Sequence, residues 1–230
     1  FCLSQPAIRA IIKETYLGNA EVQGMIITIG RQYGSGGRYI ARHVAEKMGY
    51  RFFDDELLSL AAQKAGFSEA IIRQFDEKPG NSLLYSTFVN SAATADALPL
   101  NQKLAMAQFE IIEQVASEGN CVLVGRCADY ILRNREDLVT IFVHAPSDYR
   151  AKRLQTYYGV PGPLTEKTMK KQDRKRADYY NFFTQKKWGA CGSYQICIDV
   201  SALGIEGTAD AIVQYVKLRQ ALLETGVQGE

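Results

Sequence analysis

The sequence lacks a large excess of charge, any paired cysteine motif and any long apolar run. Its 27 basic and 25 acidic residues give a net charge of only +2, whereas proteins that coat nucleic acid carry a much larger basic excess. Its five cysteines form no CxxC pair, and an odd number does not suit a closed disulfide framework. A reducing cytoplasm is therefore the simpler location to expect.

No run of about eighteen consecutive apolar residues occurs, so no membrane-spanning helix is predicted. Residues 1–24 also lack the basic flank and continuous apolar core of a secretory signal. Within them, Ser4, Pro6 and the apolar positions up to Leu17, followed by Gly18, predict one amphipathic helix. We expect this N-terminal extension to pack on the domain or on a second copy of the chain, forming a homodimer. The alternative is a segment foreign to the domain.

What is present is a chain of 230 residues, 47% of them hydrophobic, which is enough for one globular domain (25–230) with an inserted or mobile lobe. Short apolar runs alternate with helical patterns, which predicts an α/β fold with a five-stranded parallel sheet and helices on both faces. The predicted strands are 25–29, 50–53, 121–124, 138–144 and 194–200. Helices are predicted over 39–48, 56–65, 68–75, 101–118, 128–133 and 205–223, with two more starting near Ser147 and Thr165.

The stretch from residue 25 to residue 41 passes from an apolar strand through a glycine-dense loop into a helix. Glycines let consecutive N–H groups turn inward around an anion, and the helix N-terminus adds its positive dipole end. The alternative is a turn without a ligand, but four glycines and two arginines in nine residues favour a phosphate site. The residues expected to hold the phosphates are Arg31, Gln32, Tyr33, Gly34, Ser35, Gly36, Gly37, Arg38 and Tyr39.

This loop lacks the lysine of the phosphate-loop pattern GxxxxGK[ST]. When Gly34 and Gly36 are matched with the glycines of the variant GxxGxGK, the lysine position holds Gly37, and Arg38 follows it. Arg38, or Arg31 at the end of the strand, could supply the missing positive charge, although neither substitution is conservative.

Polar residues follow other predicted strands, at the edge where parallel sheets bind ligands. Asp54 and Asp55 come after the second strand, and we expect them either to face the ligand or to cap the next helix. Arg126 follows the third strand; it is expected to grip a phosphate with two hydrogen bonds, or else to form a surface ion pair. Arg150 and Arg153 share one face of the helix after the fourth strand.

Two segments outside the sheet are predicted to cover substrates. Residues 66–100 are irregular and too long for a plain connection, so we expect a flexible lobe that covers the second substrate and reads its base. Residues 160–189 combine a proline–glycine hinge, a basic helix and an aromatic segment, which favours a mobile lid with Asp173, Arg176 and Tyr180 on one face. The other interpretations are a plain solvated helix and a surface for single-stranded nucleic acid.

From residue 25 to about residue 216, the chain resembles the cytidylate kinase-like family, a branch of the P-loop nucleoside monophosphate kinases. The resemblance is carried by the blocks RQYGSGGRYIA, RFFDDELL, VLVGRCADYIL, IFVHAPSDYRAKRLQTYYGV and KKQDRKRADYYNFFTQKKWG. It implies a P-loop three-layer fold with a monophosphate-binding lobe and a lid. It also implies transfer of the γ-phosphoryl group of ATP, with Mg²⁺, to CMP, dCMP or a related monophosphate.

The residue patterns described above and the resemblance together assign roles to residues. For phosphoryl transfer these are Arg38, Arg126, Arg153, Asp173 and Arg176. For the acceptor they are Asp54, Asp55, Arg126, Asp129 and Arg150. No side chain is assigned as a metal ligand. Charges of the family pattern are missing at Gly37, at Met169 and Gln172 in the lid, and at Cys127, where the family's GRD motif has its aspartate. The alternative function is therefore a nucleotide- or phosphate-binding module with weak or no kinase activity.

Overall fold

The computed structural model of this chain describes residues 24–64, 66 and 100–225. Within them, five strands pair in parallel to form one sheet, in the order β2-β3-β1-β4-β5. The strands are β1 Ile26–Arg31, β2 Arg51–Phe53, β3 Cys121–Val124, β4 Leu138–His144 and β5 Ile196–Asp199. The predicted five-stranded parallel sheet is confirmed, and β1, which precedes the glycine-dense loop, is its central strand.

Seven helices connect and flank these strands in the described part of the chain. They are α1 Gly37–Met48, α2 Glu56–Lys64, α3 Leu100–Ser117, α4 Ala128–Ile131, α5 Ser147–Tyr158, α6 Gly162–Thr184 and α7 Val200–Glu224. The predicted start of α6 at 165 was wrong, because Pro163 lies in its first turn, where a missing N–H is tolerated. The final helix predicted from 205 agrees with the longer part of α7, because Gly204, at φ 67° and ψ −173°, is not helical and divides α7 into two helical segments. The short first segment is capped by Asp199, whose carboxylate accepts from the Ser201 N–H at 2.8 Å.

Helices cover both faces of the sheet. Alternate residues of each strand point to opposite faces, so every strand contributes side chains to both. On one face, Ile27 and Ile29 belong to a buried cluster with side chains of α1 and α7. On the other face, Ile26 belongs to a cluster with Leu57 of α2 and Ile112 of α3. Burying each of these side chains contributes about 1.5–3 kcal/mol to stability. The predicted three layers, with helices on both faces, are confirmed.

The carboxyl ends of β1, β3 and β4 meet at one edge of the sheet, which is where open parallel sheets bind ligands. At this edge β1 leads through residues 32–36, which we term the glycine loop, into α1. At the same edge, β3 leads to Gly125 and β4 leads to Ala145. Helices α5 and α6 pack against each other, and side chains from both reach the glycine loop.

The N-terminal extension at 1–24 and the lobe at 66–100 fall almost wholly outside the described residues, and so does the helix predicted over 68–75. The homodimer expected through that extension lies outside them too. Of these segments only Gly24, Gly66 and Leu100 are described, and Leu100 begins α3. Among the helices of the described ranges, none is both long and apolar enough to cross a bilayer.

Candidate functional site

The glycine loop is held in shape by its own side chains. Gly34 and Gly36 adopt left-handed backbone angles, φ 81° and φ 88°, which glycine adopts without strain. Ser35 is buried beneath the loop, and its hydroxyl donates to the Gln32 carbonyl at 2.9 Å and accepts from the Gly37 N–H at 3.3 Å. The Gln32 side chain accepts from the Ala145 N–H at 3.2 Å and so ties the loop to the end of β4.

Several N–H groups of the loop and of the first turn of α1 have no protein acceptor. Within the described residues, the N–H groups of Gly34, Gly36 and Arg38 donate no hydrogen bond. These residues line a pocket of about 180 Å³. The complete lining is Arg31, Gln32, Tyr33, Gly34, Gly36, Gly37, Arg38, Asp54, Asp55, Tyr158 and Arg176. Free N–H groups beside a helix N-terminus form a site for an anion.

Three guanidinium groups and two carboxylates meet in this pocket. Asp54 is only 4% exposed, and its two oxygens accept from Arg31 at 3.2 Å and from Arg38 at 2.8 Å. Asp55 pairs with Arg38 at 3.1 Å. Arg176, from the helix α6, donates to the backbone carbonyl of Arg31 at 2.9 Å. Both oxygens of the Asp54 carboxylate therefore face arginines of the pocket.

The electrostatics of the pocket are set by burial and by the excess of arginines. Burial, followed by repulsion from Arg176, lowers the pKa of Arg31 to about 9, which Asp54 partly opposes. The guanidinium still carries its proton at neutral pH. Burial also lowers the pKa of Arg176 and raises that of Asp54. Buried cations that repel one another favour the binding of an anion.

Arg126 lies on a strained turn at the end of β3. Gly125, Arg126 and Cys127 are consecutive and left-handed, at φ 72°, 58° and 57°. Each residue other than glycine in this conformation costs about 1–2 kcal/mol, and such strain is concentrated at functional sites. Among the described residues, Arg126 has no hydrogen-bond or ion-pair partner, so the surface ion pair is not formed, yet its charge lowers the pKa of Arg31 and of Arg176.

The helix α6 contacts the glycine loop and the body of the domain through one face. Asp173 accepts from the Tyr33 N–H at 2.7 Å and from Arg150 at 2.6 Å. Further along α6, the Tyr180 hydroxyl donates to Asp129 at 2.7 Å. Because Arg176 donates to Arg31 from the same side, the predicted common face of Asp173, Arg176 and Tyr180 is confirmed.

The other predicted site residues lie beside the pocket rather than in its wall. Arg150 also donates to the Tyr33 carbonyl at 3.1 Å, so it links the loop to α6. Arg153 stacks near the rings of Tyr39 and Tyr157, with its guanidinium carbon 5.9 Å and 4.9 Å from their centres. Asp129 is engaged with Tyr180, and burial raises the pKa of its carboxyl group.

One pocket residue was missed by sequence reasoning. Tyr158, the last residue of α5, lines the pocket. Its only sequence signal is its position just before Gly159, where α5 ends in a left-handed turn, and that signal predicts a helix end rather than a binding residue.

A magnesium ion would depend mainly on the phosphates that it accompanies. The described residues contain no group of three or more histidine, cysteine, aspartate or glutamate side chains that could hold a metal. Mg²⁺ is commonly bound by substrate phosphates together with one or two carboxylates. Both oxygens of Asp54 are engaged by arginines, whereas Asp55 is 51% exposed and uses one oxygen for Arg38, so Asp55 is the carboxylate that fits this role.

Comparison with known proteins connects this site to a family of kinases. A sequence model of the cytidylate kinase-like family matches residues 26–202. A cytidylate kinase from Methanocaldococcus jannaschii is 28% identical over 192 residues, which cover 82% of this chain and 95% of that protein.

Solved structures are also similar. An uncharacterized protein from Eubacterium ventriosum is 31% identical, with a TM-score of 0.66, over 85% of this chain and 99% of that one. A shikimate kinase from Bacteroides thetaiotaomicron is 13% identical, with a TM-score of 0.50, over 84% of this chain and 98% of that one. This second likeness concerns the fold alone.

Proposed function

The chain belongs to the cytidylate kinase-like family, and on this premise we propose that it is a nucleoside monophosphate kinase-like phosphotransferase. The proposed reaction moves the γ-phosphoryl group of ATP to a phosphate oxygen of CMP, dCMP or a related monophosphate. The observation that carries the proposal is the pocket, where free loop N–H groups lie beside the guanidinium groups of Arg31, Arg38 and Arg176.

The glycine loop is proposed to hold the phosphates of ATP. Its free donors at Gly34, Gly36 and Arg38 supply hydrogen bonds without any change in the loop, because Ser35 and Gln32 already fix its shape. A donor array that is organised in advance loses little free energy to reorganisation when charge develops. The start of α1 adds its dipole to the same place.

Phosphoryl transfer depends on positioning and on neutralising charge, and the arginines of this site are suited to both. Arg176 approaches the pocket from α6 and Arg126 from the end of β3, so the transferred group would lie between cations from separate elements. Arg153 and Arg38 would add charge at the side of the loop. Asp55 would hold Mg²⁺, which when bound would neutralise charge on the phosphates.

The contacts of α6 support its proposed role as a lid. Asp173 and Arg150 connect α6 and α5 to Tyr33 of the loop, and the contact of Tyr180 with Asp129 fixes the far part of the helix. A lid in this position would exclude water from the pocket and so limit wasteful hydrolysis of ATP. Asp54, Asp129 and Arg150 are proposed to act on the acceptor side.

The proposal is tested by measuring ADP release from ATP in the presence of CMP, dCMP, UMP or AMP. We expect turnover that depends on the acceptor and is fastest with CMP or dCMP. The variant Arg135→Ala, which removes an exposed guanidinium that pairs with Asp137, serves as a control. Its rate of ADP release should equal that of the unaltered protein. ATP binding without turnover on any acceptor would contradict the proposal in favour of the binding module. Salt-sensitive binding of oligonucleotides without ATP binding would instead indicate a nucleic-acid surface.

A further inference from the structure

Gly37, which occupies the lysine position of the phosphate-loop pattern, has no room for a side chain. A Cβ atom built on Gly37 would lie 2.6 Å from the Cβ and 3.1 Å from the Cγ of Arg31, and 3.4 Å from the Cβ of Val143. Favourable carbon–carbon contacts lie at about 3.5–4.0 Å. The space that a side chain at 37 would need is therefore filled by the stem of Arg31.

The guanidinium end of Arg31 lies against a second glycine, Gly125. A Cβ atom on Gly125 would overlap Nη1 of Arg31 and would lie 3.4 Å from its Cζ. Gly125 follows β3, the neighbour of β1 in the sheet. The side chain of Arg31 therefore runs from the end of the central strand past Gly37 to Gly125.

Arg31 is also less exposed to water than Arg38, the other candidate cation of the loop. The side chain of Arg31 is 18% exposed and bonded to Asp54. The side chain of Arg38 is 49% exposed, and it forms ion pairs with Asp54 and Asp55.

We propose that Arg31 is the phosphate-binding cation that replaces the missing lysine, and that Gly37 is required because the stem of Arg31 fills the space of its side chain. The inference rests on the proposed function, because it identifies which side chain grips the outer phosphates of the nucleotide. The charge is supplied from the strand before the loop instead of the helix after it. A planar guanidinium can also bond two phosphate oxygens at once, which an ammonium group does not do.

The test is a double-mutant cycle on the binding of tripolyphosphate, measured by calorimetry. Arg31→Gly should weaken binding by about tenfold to a hundredfold, because a charge-assisted hydrogen bond is lost. Gly37→Lys should be similarly weak, since the new side chain and Arg31 need the same space. The double variant Arg31→Gly/Gly37→Lys should recover most of the affinity, because glycine removes the Cβ and the Cγ of Arg31 that a side chain at 37 would meet. Arg135→Ala should bind like the unaltered protein.

Should Arg31→Gly fail to fold, Gly37→Ala tests the same contact. Its Cβ atom would displace Arg31, whereas alanine is the better helix former and should not weaken α1, so we expect tripolyphosphate affinity to fall about tenfold. Wild-type affinity in Arg31→Gly or in Gly37→Ala would overturn the inference, as would a double variant no better than Arg31→Gly. Because tripolyphosphate binding needs no turnover, a protein that binds it but transfers nothing refutes the proposed function alone.

Discussion

At the scale of single residues, Asp54 organises the charges of the pocket. It is almost fully buried, and each of its oxygens accepts from a different arginine. A buried carboxylate of this kind is stable only when paired. Its two oxygens bring the guanidinium groups of Arg31 and Arg38 to one buried carboxylate, although these two residues lie on opposite sides of the glycine loop.

The left-handed conformation of Arg126 predicts that two substitutions with the same effect on activity differ in their effect on stability. Arg126→Ala and Arg126→Gly should both lower kcat/KM on the order of a thousandfold, as expected for loss of a transition-state cation. The glycine variant should nevertheless be about 1 kcal/mol more stable than the alanine variant, because glycine has no penalty at φ 58°. The measurements are ADP release and urea unfolding.

Arg174→Ala is the control for this pair, since Arg174 is 84% exposed on α6 and its ion pair with Asp178, at 3.8 Å, lies on the surface. It should keep full activity. Undiminished turnover in both Arg126 variants would remove Arg126 from the site. An alanine variant as stable as the glycine variant would show that the turn is not strained.

At the scale of elements, the attachment of α6 to the glycine loop depends on Asp173. This carboxylate is 17% exposed and its partner Arg150 is 12% exposed, so the ion pair is poorly screened by water. Glu166 and Lys170 form an ion pair on the exposed side of the same helix. The two pairs offer a matched comparison between a docking contact and a surface contact.

We expect Asp173→Ala to lower the free energy of unfolding by about 2 kcal/mol, because Arg150 and the Tyr33 N–H lose their acceptor. Glu166→Ala should lower it by less than about 0.5 kcal/mol. Urea unfolding measures both values, and hydrogen exchange should show faster exchange along α6 only in the first variant. Equal effects of the two substitutions would mean that Asp173 does not hold the helix in place.

The elements also show how far sequence could predict this structure. The ends of β3 and β4 were predicted correctly from the apolar runs at 121–124 and 138–144. Strands that are buried on both faces are mostly apolar along their whole length. β1 continues to Arg31 because its last residue pairs with Val143, and a charged residue gives no apolar signal. β5 spans Ile196–Asp199 instead of 194–200, since Val200 already begins α7.

The candidate site could also be predicted in part from the sequence. Glycine spacing indicated the loop, and strand ends indicated Asp54 and Arg126. The choice between Arg31 and Arg38 as the stand-in cation was not accessible, because it depends on packing over Gly37 and Gly125. These positions are distant in sequence and are brought together only by the pairing of β1 with β3.

At the scale of the whole molecule, a nearly neutral chain concentrates positive charge at one edge of its sheet. Arg31, Arg126 and Arg176 come from the ends of two strands and from α6. Repulsion from Arg176 and Arg126 lowers the pKa of Arg31, and repulsion from Arg126 lowers that of Arg176. The net charge of +2 conceals this concentration.

The central claim is that the free N–H groups of the glycine loop and of the first turn of α1 bind phosphate. It is tested most directly by following backbone amide signals in NMR spectra while tripolyphosphate is added. The signals of Gly34, Gly36 and Arg38 should shift together and saturate, whereas Arg174, on the exposed side of α6, should not move. Unchanged signals from those three amides at saturating tripolyphosphate would contradict the account.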